Sequence, residues 1–228
     1  MPRQLLTILF SFAFGAVAQA QELSLFESFT DHSVLQRDMP HPLWGWTKHR
    51  RKVTVNFMGK DYKTKADNQG RWEVTLPATP VGGPFTITVS SGRERRTLRD
   101  VYFGDVYLLS GQSNMEWRVS QSDPDGSQAA KIADPMIREL KVKKTFAATP
   151  QQHLTIDGDF SQSWMRGDEA IANFSAVGSY FARDVRAEID VPIGLLHASW
   201  GGSRIEPWMS PEALGKEATE ALKEREDA

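Results

Sequence analysis

Apolar and polar positions alternate with period two in three runs of the early chain. Val53, Val55 and Phe57 alternate with Thr54 and Asn56; Trp72, Val74 and Leu76 with Glu73 and Thr75; Phe85, Ile87 and Val89 with Thr86 and Thr88. Such a pattern gives each run one buried and one wet face, as in antiparallel sheets. Turn-forming stretches separate the runs: Met58-Gly59-Lys60-Asp61, Asp67-Asn68-Gln69-Gly70 and Val81-Gly82-Gly83-Pro84. Residues 21–102 are therefore predicted to form a β-sandwich domain. Trp44, Trp46 and Trp72 lie within it, and their bulk favours a place in the core over a sugar-stacking surface.

The period then changes. Asp105 to Ser110 is an apolar run of strand length, followed by Gly111, where the chain can turn sharply. Phe174, Val177, Phe181 and Val185 recur at helical spacing and predict an amphipathic helix over 173–188. Pro192 to His197 reads as a strand, Trp200-Gly201-Gly202-Ser203 as a loop, and Ser210-Pro211-Glu212 as the start of a helix running to about 226. Ile137 to Val142 is a further candidate strand, and Thr145 to Glu169 is polar and irregular. Strand, helix, strand and helix in that order predict an α/β domain over 103–228, built on a parallel sheet. The fold class expected is α+β in two domains, a β-sandwich-like part followed by an α/β part.

Composition removes several classes of function. The chain has 228 residues, 40% hydrophobic and 25% charged, which suits a globular protein. Its formal net charge of -2 gives no basic excess for nucleic acid. With no cysteine, a disulfide framework, a thiolate nucleophile and a cysteine-ligated metal are excluded. Met1-Pro2-Arg3, the apolar Leu5 to Val17 and the small residues of Ala18-Gln19-Ala20 are laid out as a secretory signal peptide over 1–20. The expected location is secreted or periplasmic, with no membrane span in the mature form.

In an open α/β sheet, ligands sit beyond the carboxyl ends of the strands. Parallel strands would bring Gly111-Gln112-Ser113-Asn114 and Trp200-Gly201-Gly202-Ser203 to that edge together. Ser113 at a tight strand-to-helix turn is then the candidate nucleophile. Its own N–H, with that of Gly201 or Gly202, would meet the developing oxyanion. Gln112 and Asn114 flank the nucleophile and either brace the turn or bind sugar. Arg204 and Glu206 either touch substrate, or pair with each other or cap a helix. His197 lies on the strand below the active edge, where it reads as a packed or loop-facing side chain rather than a base for Ser113. Asp38-Met39-Pro40-His41 has Asp-x-x-His spacing but sits in the β region, as do His32 and His49; His153 falls in the irregular stretch. No His and carboxylate cluster has metal-ligand spacing, so neither metal nor cofactor is expected.

Whole segments sharpen this reading. Leu109-Ser110-Gly111-Gln112-Ser113-Asn114-Met115-Glu116 resembles the nucleophile block of the sialate O-acetylesterase family, a branch of the SGNH (GDSL-like) hydrolases. Asn173 to Phe181 resembles the helix before the family's second block, and Pro192 to Trp208 resembles that block itself. Val34-Leu35-Gln36-Arg37, Trp44-Gly45-Trp46 and Gly70-Arg71-Trp72 are similar to the β-domain that precedes it. The resemblance implies a flavodoxin-like hydrolase domain, an O-acetylated carbohydrate substrate and a Ser-His-Asp mechanism. In it Ser113 matches the nucleophile and a glycine of the Gly201-Gly202 pair an oxyanion donor. It also implies a later Gln-Gly-Glu-type segment and a late Asp-x-x-His, neither of which appears between Gly202 and Ala228. The α/β part is thus expected to be incomplete and weakly active or inactive alone. Two alternatives stand beside the esterase: a carbohydrate-binding module, and one half of a split enzyme whose complementary chain carries the missing Asp and His.

Overall fold

The computed structural model describes residues 22–147, 151–155 and 164–215, so the signal-peptide segment and the chain after 215 lie outside the described residues. Eight strands come first: β1 (Ser24–Leu25), β2 (Val34–Gln36), β3 (His41–Trp46), β4 (Lys52–Phe57), β5 (Lys60–Lys65), β6 (Arg71–Leu76), β7 (Gly82–Ser91) and β8 (Glu94–Leu109). Short helices follow: α1 (Ser113–Glu116), α2 (Val119–Ser122) and α3 (Ser127–Ile132). Then come β9 (Ile137–Lys141), β10 (Met165–Arg166), α4 (Gly167–Ala170), α5 (Ala176–Ile189), β11 (Ile193–His197) and α6 (Pro211–Leu214).

The strands form a three-stranded sheet, β1-β3-β6, and an eight-stranded sheet in the order β10-β9-β11-β8-β7-β4-β5, with β2 against β8. Leu43, Trp72, Val74 and Leu76 of the smaller sheet meet Val53, Val55, Phe57, Ile87, Val89 and Phe103 of the larger in one apolar cluster. The period-two alternation is the cause: in β4 and β6 every second residue is buried. Each such large side chain contributes about 1.5–3 kcal/mol on burial. Trp72 and Trp46 are buried, and the half-buried Trp44 packs on the Phe26 ring at 4.8 Å. β5 (Lys-Asp-Tyr-Lys-Thr-Lys) lies at the sheet's edge, where its lysines discourage pairing with another chain.

β8 runs unbroken through residue 102, where the composition changes. Up to Phe103 it pairs antiparallel with β7, and from Asp105 it pairs parallel with β11. Gly104 sits at this changeover. A Cβ there would lie 2.0 Å from the Pro192 carbonyl oxygen, so only glycine lets the two backbones meet. A second cluster gathers Leu109, Val119, Ile137, Phe174, Ile193 and Leu195 around β8, β11 and β9. Arg138, on β9, ties this strand to the segment before β2 and to β8. Its buried guanidinium donates to the carbonyls of His32 (2.9 Å) and Asp100 (2.6 Å) and pairs with the Asp100 carboxylate at 3.0 Å.

Helix α5 begins at Ala176, and Ser175 caps it by accepting from the Gly178 N–H. Only part of the predicted apolar stripe faces inward: Phe174 is buried and Val185 packs against the second cluster. Val177 and Phe181 are 48% and 41% exposed, while Ala176, Gly178, Ser179 and Ala182 are buried. The reason is close approach: a Cβ on Gly178 would lie 2.4 Å from Leu109 Cδ1, so small residues face the strand. The stretch predicted to be irregular holds β10 and the start of α4 near its end.

Candidate active site

β8 and β11 lie side by side and parallel, with Asp105 opposite Ile193 and Leu109 opposite His197. Their carboxyl ends therefore share one edge, and the segments after them meet there. The Ala198 N–H donates to the Leu109 carbonyl (2.9 Å) and the Trp200 N–H to the Gly111 carbonyl (2.8 Å). Gly111 has φ +121°, a conformation that side chains disfavour, and this tight turn delivers Ser113 to the first position of α1. The Gln112 carbonyl accepts from Met115 and Glu116, so residue 112 braces the turn through its backbone. Ser113, Gln112 and Asn114 are all exposed at the edge.

The loop after β11 leans on this turn. A Cβ on Gly201 would lie 3.6 Å from both Cα and Cβ of Ser113. The Gly201 N–H donates to the Glu116 carboxylate, whose other oxygen pairs with Lys144. Burial pushes the Glu116 carboxyl up, but hydrogen bonds from Lys144 and the Gly201 N–H outweigh it and hold the group below the usual carboxylate range. Gly202 follows with φ +81°, and no acceptor meets its N–H among the described residues. The loop is closed by Ser203, whose hydroxyl donates to the Trp200 carbonyl and accepts from the Trp208 indole N–H at 2.9 Å.

A cleft of about 410 Å³ opens beside the serine, lined by Ser113, Glu116, Trp117, Arg118, Ser120 and Gln121. Trp117 is 49% exposed, which leaves a ring face to the cleft's surroundings. Arg204 is exposed and Glu206 half-buried; no ion pair joins them, and Glu206 Oε2 is buried without a partner among the described residues.

None of the five histidines meets Ser113 among the described contacts. His197 faces the interior, its Nδ1 3.1 Å from Glu139 Oε1 and its Nε2 2.6 Å from Ser199 Oγ. Glu139 in turn accepts from the Ser175 N–H at 3.0 Å, and the Ser175 hydroxyl donates to the Met115 carbonyl at 2.7 Å. This chain of bonds runs beneath the candidate site from Ser199 in the loop after β11 to Met115 in α1. His41 lies on β3 near Phe29 and Phe103, His32 pairs with Asp100, His153 stacks on Trp46, and His49 is exposed. No group of three metal-ligating side chains occurs among the described residues.

Sequence reasoning missed Glu116, Lys144, Glu139 and Ser199. Glu116 carried a usable signal, since three residues beyond the serine is the same helical turn. Lys144 sits in an irregular stretch and carried none.

Comparison with known proteins fits this arrangement. A family model described as carbohydrate esterase, sialic acid-specific acetylesterase, matches residues 103–227. The sialate O-acetylesterase of Mus musculus is 31% identical over 207 residues, covering 83% of this chain and 38% of that protein. The Homo sapiens enzyme is 32% identical over 206 residues, covering 83% and 39%. The crystal structure of a carbohydrate acetylesterase from Xanthomonas citri superposes with a TM-score of 0.79 at 38% identity, over 86% of this chain and 44% of that one. The chain thus spans under half the length of these relatives. With the Ser113 turn and the glycine loop inside the matched segment, the chain belongs to the carbohydrate esterase family of sialic acid-specific acetylesterases.

Proposed function

We propose that this chain carries the nucleophile side of a secreted or periplasmic serine esterase that removes O-acetyl groups from sugars. The observation that supports it best is the exposed Ser113 on a tight turn, packed against a glycine loop at the carboxyl edge of parallel strands. Ser113 Oγ attacks the acetyl carbonyl carbon, and the carbonyl oxygen takes the negative charge. Backbone N–H groups of Ser113 and of the Gly201-Gly202 loop meet that oxygen. A base takes the Ser113 hydroxyl proton and passes it to the sugar oxygen, so that collapse expels the sugar hydroxyl and leaves acetyl on Ser113, which water then releases as acetate.

Among the described residues no imidazole reaches Ser113, so the base and its acid come from outside them, from further polypeptide or a complementary chain. Residues 21–102 then form the accompanying β-domain and 103–228 part of the hydrolase domain. Residues 1–20 act as the export signal, and among the described residues no helix is long and apolar enough to cross a membrane. Trp117 and Arg118 line the cleft in which the sugar would rest, and Gln112, Asn114, Arg204 and Glu206 are the further candidates for contact with it.

The test is acetate release from O-acetylated sugars, neutral and acidic, by the mature chain with imidazole supplied as base, beside Ser113→Ala. Release above background that disappears in Ser113→Ala supports the reading. Equal release by both proteins overturns it.

A further inference from the structure

Two adjacent glycines follow Trp200, and the structure treats them differently. The Gly201 N–H is taken by a carboxylate; the Gly202 N–H meets no acceptor among the described residues. Glu116, which supplies that carboxylate, sits on the same helical turn as Ser113 and is neutralised on its other side by Lys144. The approach is close enough that a Cβ on residue 201 would lie 2.7 Å from Glu116 Oε2. Three bonds in succession therefore zip the loop to the nucleophile segment: Ala198 to Leu109, Trp200 to Gly111, and Gly201 to Glu116. The last is charge-assisted, and it alone spans from loop to nucleophile helix rather than between backbones.

We propose that Glu116 is a positioning residue that locks the Gly201 amide against the nucleophile helix, leaving Gly202 to supply the loop's oxyanion donor. This rests on the esterase reading and assigns the donor within it. A carboxylate already bonded to Gly201 cannot share that N–H with a second anion without charge repulsion. The next amide, on a residue whose positive φ turns the chain sharply, is the free one. Lys144 keeps the local charge near neutral, so the carboxylate does not repel the oxyanion formed beside it.

The test has two arms, both on the full chain. In proton–nitrogen spectra, the Gly201 amide should resonate downfield and exchange slowly. Both properties should be lost in Glu116→Ala and largely restored in Glu116→Gln, which keeps an acceptor oxygen. A Gly201 amide indifferent to Glu116→Ala overturns the proposal. The second arm follows labelling of Ser113 by a fluorophosphonate, with imidazole supplied as base. Ser113 Oγ bonds to phosphorus, fluoride leaves, and the hydroxyl proton passes to imidazole.

Glu116→Ala should label at least about tenfold more slowly at an unchanged half-saturating concentration, below the loss seen when an oxyanion donor is removed outright. Glu116→Gln should stay near the parent, which a merely structural role would not require. Labelling of Glu116→Ala as fast as the parent, or faster, overturns the proposal and makes Glu116 a plug on the donor. A parent that takes no label while its Gly201 amide depends on Glu116 supports the tie and overturns the esterase reading.

Discussion

His41 shows what burial does to a single titratable side chain. It sits near Phe29 and Phe103, its Nε2 has no hydrogen-bond partner among the described residues, and burial lowers its pKa from 6.5 to about 4. The folded state therefore holds it neutral where the unfolded chain takes up a proton. With the folded pKa below the unfolded one, stability is full above about pH 6.5 and falls as pH drops toward 4. Allowing for partial exposure, the loss is about 2 kcal/mol. Urea unfolding at neutral and mildly acidic pH should show it in the parent and much less in His41→Leu; equal acid sensitivity in both would exclude His41 as the cause. Other single residues were legible to different degrees. Ser113 was visible because its neighbours spell out a turn, whereas Arg138 and Glu139 look like ordinary charges in a strand. Nothing local in Ile-Arg-Glu-Leu-Lys shows that both are buried, because their partners His32, Asp100, Ser175 and His197 are far away in sequence.

Elements were readable where one rule governs them. β4, β6 and β7 followed from alternation, since each has one face on the core. The existence of α5 followed from helical spacing, but its start at Ala176 and its orientation did not. Apolar spacing pointed to Val177 and Phe181, whereas contact with Leu109 demanded small side chains, and contact won. β8 was legible only in its last residues, because its first half and its second half obey different pairings. That change of partner depends on Gly104. Gly104→Ala places a Cβ against the Pro192 carbonyl, which is backbone and cannot turn aside. Forced apart by about one methyl group, β8 and β11 should lose about 1–3 kcal/mol of stability. Chemical denaturation measures this, and an unchanged midpoint would mean that β11 can shift without loss.

At the scale of the whole molecule, one strand and one buried arginine join two apolar clusters, and the candidate site forms where the second cluster reaches the sheet edge. Function was legible mainly in the wording of segments, because Gly-x-Ser alone is common and the meeting of two distant loops is not a local property. The family match over residues 103–227 accords with that wording, while the chain covers 38% of the mouse relative.

The central claim is that Ser113 is the atom acylated. With no imidazole beside Ser113 among the described residues, water attacks the acetyl-enzyme slowly, so the intermediate should persist long enough to be isolated. The chain is incubated with an activated acetyl ester, quenched in acid, digested and weighed by mass spectrometry. The account predicts one acetyl group on the peptide containing Ser113 and none on the same peptide of Ser113→Ala. Acetate released with Ser113 unmodified, or acetyl found on Ser199 instead, would contradict it.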